Sequence, residues 1–242
     1  MTEGAPVRIA MWSGPRTLST ATMRAWENRP DTVVVDEPLY AYYLAATGLD
    51  HPGRDAIVAA QPTDWRTVVR SLITGDLPDG ATIAYQKHMT HHVLPEIDLE
   101  ALEPLTHAHL IRDPRRVLAS YARIREQPTL ADLGVRQQVA LHRRFGGPVV
   151  DSDDLLREPE CVLRDLCAAL GVPFDEHMLS WPPGPRPSDG VWAPYWYASV
   201  EASTGFGPWR GDDVPDLPDH LAALAEECRP FYDELAAQAR GR

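Results

Sequence analysis

The most conspicuous shortage in this 242-residue chain is lysine: of 23 basic residues, only Lys87 is not arginine. Cysteine is nearly as rare. Cys161, Cys167 and Cys228 form neither a CxxC pair nor an even set, which excludes a disulfide framework and points to free thiols in a reducing cytoplasm. No run approaches 18 uninterrupted apolar residues, so no segment is expected to span a membrane. The first eight residues lack the basic start and apolar stretch of a secretory signal. Cationic excess is missing too. The formal charge is −12, and a phosphate backbone would be repelled, so a nucleic-acid partner is not expected. The chain also lacks GxxxxGK[ST], without which ATP-driven phosphoryl transfer loses its usual lysine and Mg²⁺-binding hydroxyl.

What is present suits a globular protein. Hydrophobic residues make up 44% of the chain, enough for a substantial core in one domain over residues 1–242. Short apolar runs alternate with helical periodicities. Strands are expected at Val7–Trp12, Thr32–Val35, Thr82–Gln86, His107–Ile111 and Pro148–Val150. Helices are expected at Leu18–Glu27, Leu39–Ala46, from Asp64 as N-cap toward Gly75, and at Pro114–Arg125, Leu130–Phe145, Glu158–Leu170 and Leu217–Ala239, the last kinked by Pro230. This alternation predicts an α/β fold, a three-layer sandwich with a central parallel sheet and helices on both faces. Ligands of such folds bind at the carboxyl ends of the strands. Residues 181–216 break the rhythm. They hold seven of 23 prolines and four of seven tryptophans, a composition that suits an ordered lid or pocket wall.

Two strand–turn–helix segments could hold anions. In the first, Pro15, Arg16, Thr17, Leu18, Ser19 and Thr20 lead from a strand into a helix. Free backbone N–H groups and the positive end of the helix dipole would meet a phosphate there, with Arg16 and the hydroxyls adding hydrogen bonds. An ordinary βα turn with a hydroxyl N-cap would read the same way. In the second, Arg112 ends a strand and Ser120 follows eight residues later on a helix, a pair able to clamp another phosphate.

Together these segments resemble the sulfotransferase family, which transfers a sulfuryl group from 3′-phosphoadenosine 5′-phosphosulfate (PAPS) and releases 3′-phosphoadenosine 5′-phosphate (PAP). Residues Pro15 to Thr20 are similar to the family's 5′-phosphosulfate loop, and Arg112 to Ser120 to its 3′-phosphate motif. Ser152 to Leu170-Gly171 resembles the family's segment before its Phe-Leu-Gly-like helix stop, and Thr204, Gly205, Phe206, Trp209 and Arg210 resemble its late nucleotide-covering loop. Leu18 stands where the family often has Gly, and Arg16 where many members have Lys.

The resemblance implies a P-loop-like fold of the bacterial small-molecule type, PAPS as co-substrate, and a hydroxyl or amine of a small molecule as acceptor. It implies no metal, and it leaves a homodimer open. A kinase, or a nucleotide-binding module without catalysis, are the alternative readings. The acceptor must lose a proton, so a base is needed near the strand ends. Glu37 resembles the Glu base of some bacterial members; His88 resembles a Lys-x-His base displaced by one residue. Lys87 and Arg16 would stabilise charge on the transferring group. His88, His91 and His92 have metal-like spacing, but they leave a strand and Pro95 follows closely, so a metal site is not expected.

Overall fold

A computed structural model describes residues 5–122, 127–211 and 213–239. Five parallel strands form one sheet in the order β2-β3-β1-β4-β5. These are β1 (Val7–Ser13), β2 (Thr32–Asp36), β3 (Ile83–Met89), β4 (Thr106–Ile111) and β5 (Val149–Asp151). β1 lies at the centre because the chain first passes to the edge strand β2 and returns through β3 on one side, then crosses to β4 and β5 on the other. Such a reversal of strand order opens a crevice at the carboxyl ends.

The sheet is covered on both faces, so its central strands are buried at nearly every position. Ile9 and Met11 pack with Trp26, Tyr85 and Leu110 on one face. Ala10 and Trp12 pack with Leu39, Val69 and Leu105 on the other. α1 (Ser19–Glu27), α2 (Tyr40–Thr47), α3 (Arg54–Ala60) and α4 (Trp65–Thr74) follow the first two strands. Asp64 caps α4 through the N–H groups of Arg66 and Thr67, as its sequence position predicts. After β4 come α5 (Pro114–Tyr121), α6 (Leu130–Leu133) and α7 (Val135–Phe145); after β5 come α8 (Ser152–Arg157) and α9 (Pro159–Ala169). α10 (Ala193–Trp196) and α11 (Ala198–Glu201) lie in the Pro- and Trp-rich segment, and α12 (Asp219–Ala239) closes the fold.

Several expected boundaries move. The helix expected over Leu130–Phe145 is broken at Gly134, whose φ of 63° is left-handed. A Cβ there would meet His91 N at 2.6 Å, so close backbone approach requires glycine. The expected end of α5 at Arg125 lies outside the described residues. α12 continues through Pro230 without interruption. The largest consequence for the site comes from β3, which runs to Met89 and therefore contains Lys87 and His88. Among the described residues, no helix is long and apolar enough to cross a membrane.

Candidate active site

β1 ends at Ser13, and the chain turns through Gly14–Leu18 before α1 begins. Thr17 Oγ1 donates to the Gly14 carbonyl at 2.8 Å, closing the turn on itself. Thr17 thus braces the loop from inside and does not present its hydroxyl to a ligand. The helix starts from Leu18 in left-handed conformation (φ 64°) with no side-chain cap, and its first internal bond is Thr22 N to Leu18 O. The N–H groups of the first turn are left for an anion. Arg16 is also left-handed (φ 60°), as is Glu37 (φ 38°), and these are the three non-glycine residues with positive φ among those described. Each such residue stores about 1–3 kcal/mol of strain, and all three sit at the carboxyl ends of β1 and β2.

The two expected anion motifs meet. Arg16 Nε donates to Ser120 Oγ at 2.9 Å, and an Arg112 guanidinium N–H donates to the Arg16 carbonyl at 3.0 Å. Asp113 caps α5 through the N–H groups of Arg115 and Arg116, and Pro114 opens it, which aims Ser120 back toward the loop. Arg112 is held below the usual guanidinium range by burial, against the Asp153 carboxylate 3.9 Å away. Arg116 pairs with the same carboxylate at 3.1 Å. A dense group of cations therefore surrounds this end of the crevice.

Beside it lies a cavity of about 350 Å³ lined by Pro15, Arg16, Ser19 and Thr20 on one side and by Glu37, Lys87 and an aromatic wall on the other. In that wall His92 stacks on Tyr40 (4.7 Å between centroids), and behind it on Tyr43 (4.8 Å). Trp196 lines the same cavity, so the Pro- and Trp-rich segment supplies part of the wall. Leu18 serves the loop through its backbone conformation, adopting the geometry a glycine would take there.

Glu37 follows β2 directly. Burial pushes its carboxyl above the ordinary value, opposed by the Lys87 ammonium. Lys87 Nζ donates to Glu37 Oε1 at 2.6 Å, Asp36 Oδ1 at 2.9 Å and Tyr197 Oη at 2.7 Å. Burial works against its charge, but the two carboxylates hold it above the ordinary lysine range. The expectation that Lys87 stabilises the transferring group is corrected by this geometry: its three N–H groups are already taken, so it holds Glu37.

His88 is a second correction. Neighbouring residues of a strand face opposite ways, so His88 lies on the far side of the sheet from Lys87. There it contacts Trp12 (4.4 Å between centroids) and Gln86 Oε1 (3.2 Å), and burial lowers its pKa to about 3. It does not line the cavity.

The late loop divides. Thr204 accepts from Trp181 N, Gly205 bridges Ser180, and Phe206 packs on Trp181. Ser180 in turn accepts from Asn28, at the end of α1 remote from the phosphate loop, about 13 Å away along a nine-residue helix. Thr204, Gly205 and Phe206 therefore do not reach the site. The next part does: the Arg116 and Arg157 guanidinium groups lie 4.8 and 4.1 Å from the Trp209 ring, and Arg116 donates to the Gly211 carbonyl. That places Arg210, between them, beside the cationic group. Trp209, which the resemblance places in the nucleotide-covering loop, is the ring on which these two guanidinium groups lie. Among the described residues, no group of three or more His, Cys, Asp or Glu is arranged to hold a metal.

Known proteins resemble this chain in sequence and in fold. A family model described as a sulfotransferase domain matches residues 7–239. Two curated relatives from Arabidopsis thaliana, branched-chain-amino-acid aminotransferase-like proteins 1 and 2, are 41% and 36% identical over 97% and 94% of this chain. The chain spans only 42% and 41% of their lengths. Among solved structures, the sulfotransferase domain of the Synechococcus PCC 7002 olefin synthase is similar over 94% of this chain and 96% of its own, with a TM-score of 0.53 at 19% identity. A sulfotransferase from Alicyclobacillus acidocaldarius is similar over 98% and 96%, with a TM-score of 0.55 at 14% identity. Those two likenesses speak to the fold, whereas the family match covers all five strands and both anion motifs. This chain belongs to the sulfotransferase family.

Proposed function

We propose that the chain transfers a sulfuryl group from PAPS to a hydroxyl or amine of a small-molecule acceptor, in the cytoplasm. The convergence of Arg16, Arg112 and Ser120 carries this reading. A guanidinium and a hydroxyl 104 residues apart come within 2.9 Å at an open helix N-terminus, and a second guanidinium braces the loop. A nucleotide with two separated phosphates fits such a pair of anion sites. The loop N–H groups, Arg16, Ser19 and Thr20 would take the 5′ end, and Arg112 with Ser120 the 3′-phosphate.

The acceptor would enter the cavity against the Tyr40–His92 wall. Its oxygen or nitrogen attacks sulfur as the bond from sulfur to the 5′-phosphate oxygen breaks, in line, and PAP leaves. The acceptor proton passes to Glu37, whose raised pKa makes it a stronger base than an exposed glutamate. Arg16 and the helix N-terminus face the oxygens on which charge develops. Nothing in this sequence of events calls for a metal or for nucleic acid.

Calorimetric titration with PAP beside ADP, both without added metal, tests the reading. Micromolar PAP binding with ADP much weaker is expected. Comparable or absent binding of both would remove it. PAP binding without PAPS turnover across alcohol and amine panels would leave a nucleotide-binding module.

A further inference from the structure

Asp36 and Glu37 are consecutive carboxylates served by one ammonium, and the fold treats them unequally. Asp36 is hydrogen-bonded on both oxygens. Oδ1 accepts from Lys87, while Oδ2 accepts from Tyr197 Oη at 2.6 Å and from Gly190 N–H at 3.2 Å. The side chain of Glu37 is bonded to Lys87 at Oε1 and lines the cavity. Tyr197 links the two ions, because its oxygen accepts from Lys87 at 2.7 Å and from Trp192 Nε1 at 3.1 Å. With two donors on that oxygen, the phenolic hydrogen is directed to Asp36.

Both Tyr197 and Trp192 are buried, and they flank α10, whose Trp196 walls the cavity. The turn that shapes the acceptor side therefore also reaches under the carboxylate opposite it. The cavity that Glu37 lines also presents Arg16 from the phosphate loop, Tyr40 on α2, Asp50, His51, the His91–His92 pair and Tyr121 on α5.

We infer that Tyr197 is a positioning residue for Glu37: by donating to Asp36 and accepting from Lys87, it tempers the pull of Asp36 on the ammonium and holds Lys87 on Glu37. This rests on the reading of Glu37 as the base. Without the phenol, Asp36 loses a donor and draws Lys87 more strongly, and Glu37 gives up part of its share of the ammonium.

The test is carboxyl ¹³C NMR of glutamate-labelled protein, with the Glu37 signal assigned by its loss in Glu37→Gln. Wild type, Tyr197→Phe, Trp192→Phe and Tyr195→Phe are titrated without ligand. In Tyr197→Phe the Glu37 midpoint should rise by about 0.5 pH unit or more, the scale of one neutral hydrogen bond. Trp192→Phe, which removes one of the donors orienting the phenol, should raise it by less. Tyr195→Phe, altering an exposed ring of the same segment, should leave it in place. The acidic limb of the PAPS turnover profile should move with the midpoint. An unmoved Glu37 midpoint in folded Tyr197→Phe overturns the inference; if that variant does not fold, an unmoved midpoint in Trp192→Phe does so. Wild-type PAP titration stands apart from these outcomes, since its failure would strike the PAPS reading and leave the midpoint result interpretable.

Discussion

Replacing Lys87 with Met should destabilise the protein in a way that depends on pH. The side chain is 1% exposed and its single ammonium is shared by two buried carboxylates, Asp36 at 5% and Glu37 at 9% exposure. Methionine fills similar volume, so packing loss is small and the uncompensated charge dominates. Breaking a buried ion pair by removing one partner costs about 3–5 kcal/mol. At about 2–4 °C per kcal/mol for a domain of this size, Tm should fall by about 6–20 °C at neutral pH. Glu37 already lies above its ordinary value of 4.5 because of burial, and Lys87 is what opposes that rise. With the lysine gone, the folded-state pKa climbs further. The folded protein then binds the proton more tightly than the unfolded chain, so stability is lost as pH rises from about 4.5 through the new folded value. The deficit relative to wild type should be smallest near pH 5 and largest near pH 8. Differential scanning calorimetry at both pH values measures it. An equal deficit at the two, or a Tm within about 2 °C of wild type throughout, would refute the placement of Lys87 between the two carboxyl groups.

Arg112→Ala should raise the Kd for PAP about ten- to hundredfold in calorimetry, the loss of one charge-assisted contact, whereas Ser120→Ala should raise it only about two- to tenfold. Glu37→Gln should keep PAP affinity within about twofold and lower PAPS turnover at least about a hundredfold, since general-base catalysis contributes on that scale. Gly134→Ala should cost about 2 kcal/mol or more in urea denaturation, because a Cβ at φ 63° is strained and would strike His91 N.

The phosphate loop was legible because its information is local. Gly14, Pro15, Arg16 and the hydroxyls are contiguous, and a strand running into a helix at that turn brings free N–H groups and side chains to one place. The spacing from Arg112 to Ser120 was legible for the same reason, since Asp113 and Pro114 mark the start of α5. Reading failed where a short error changes a direction. Ending β3 at Gln86 left His88 as a loop residue near the acceptor; extending the strand to Met89 turns it to the opposite face. Thr17 looked like a ligand hydroxyl because nothing in the sequence tells a braced turn from an open one.

The alternation that makes a parallel sheet, the two anion motifs at its carboxyl edge and the singular position of Lys87 are written in the order of the residues. Local spacing and composition carry such features, because backbone geometry acts over a few residues. Which groups meet came from the packed fold: Arg16 with Ser120, Arg116 with Trp209, and above all Lys87 with Tyr197, 110 residues further along. A buried ammonium must be neutralised by whatever the fold brings to it, and packing, which has no sequence period, chose those partners.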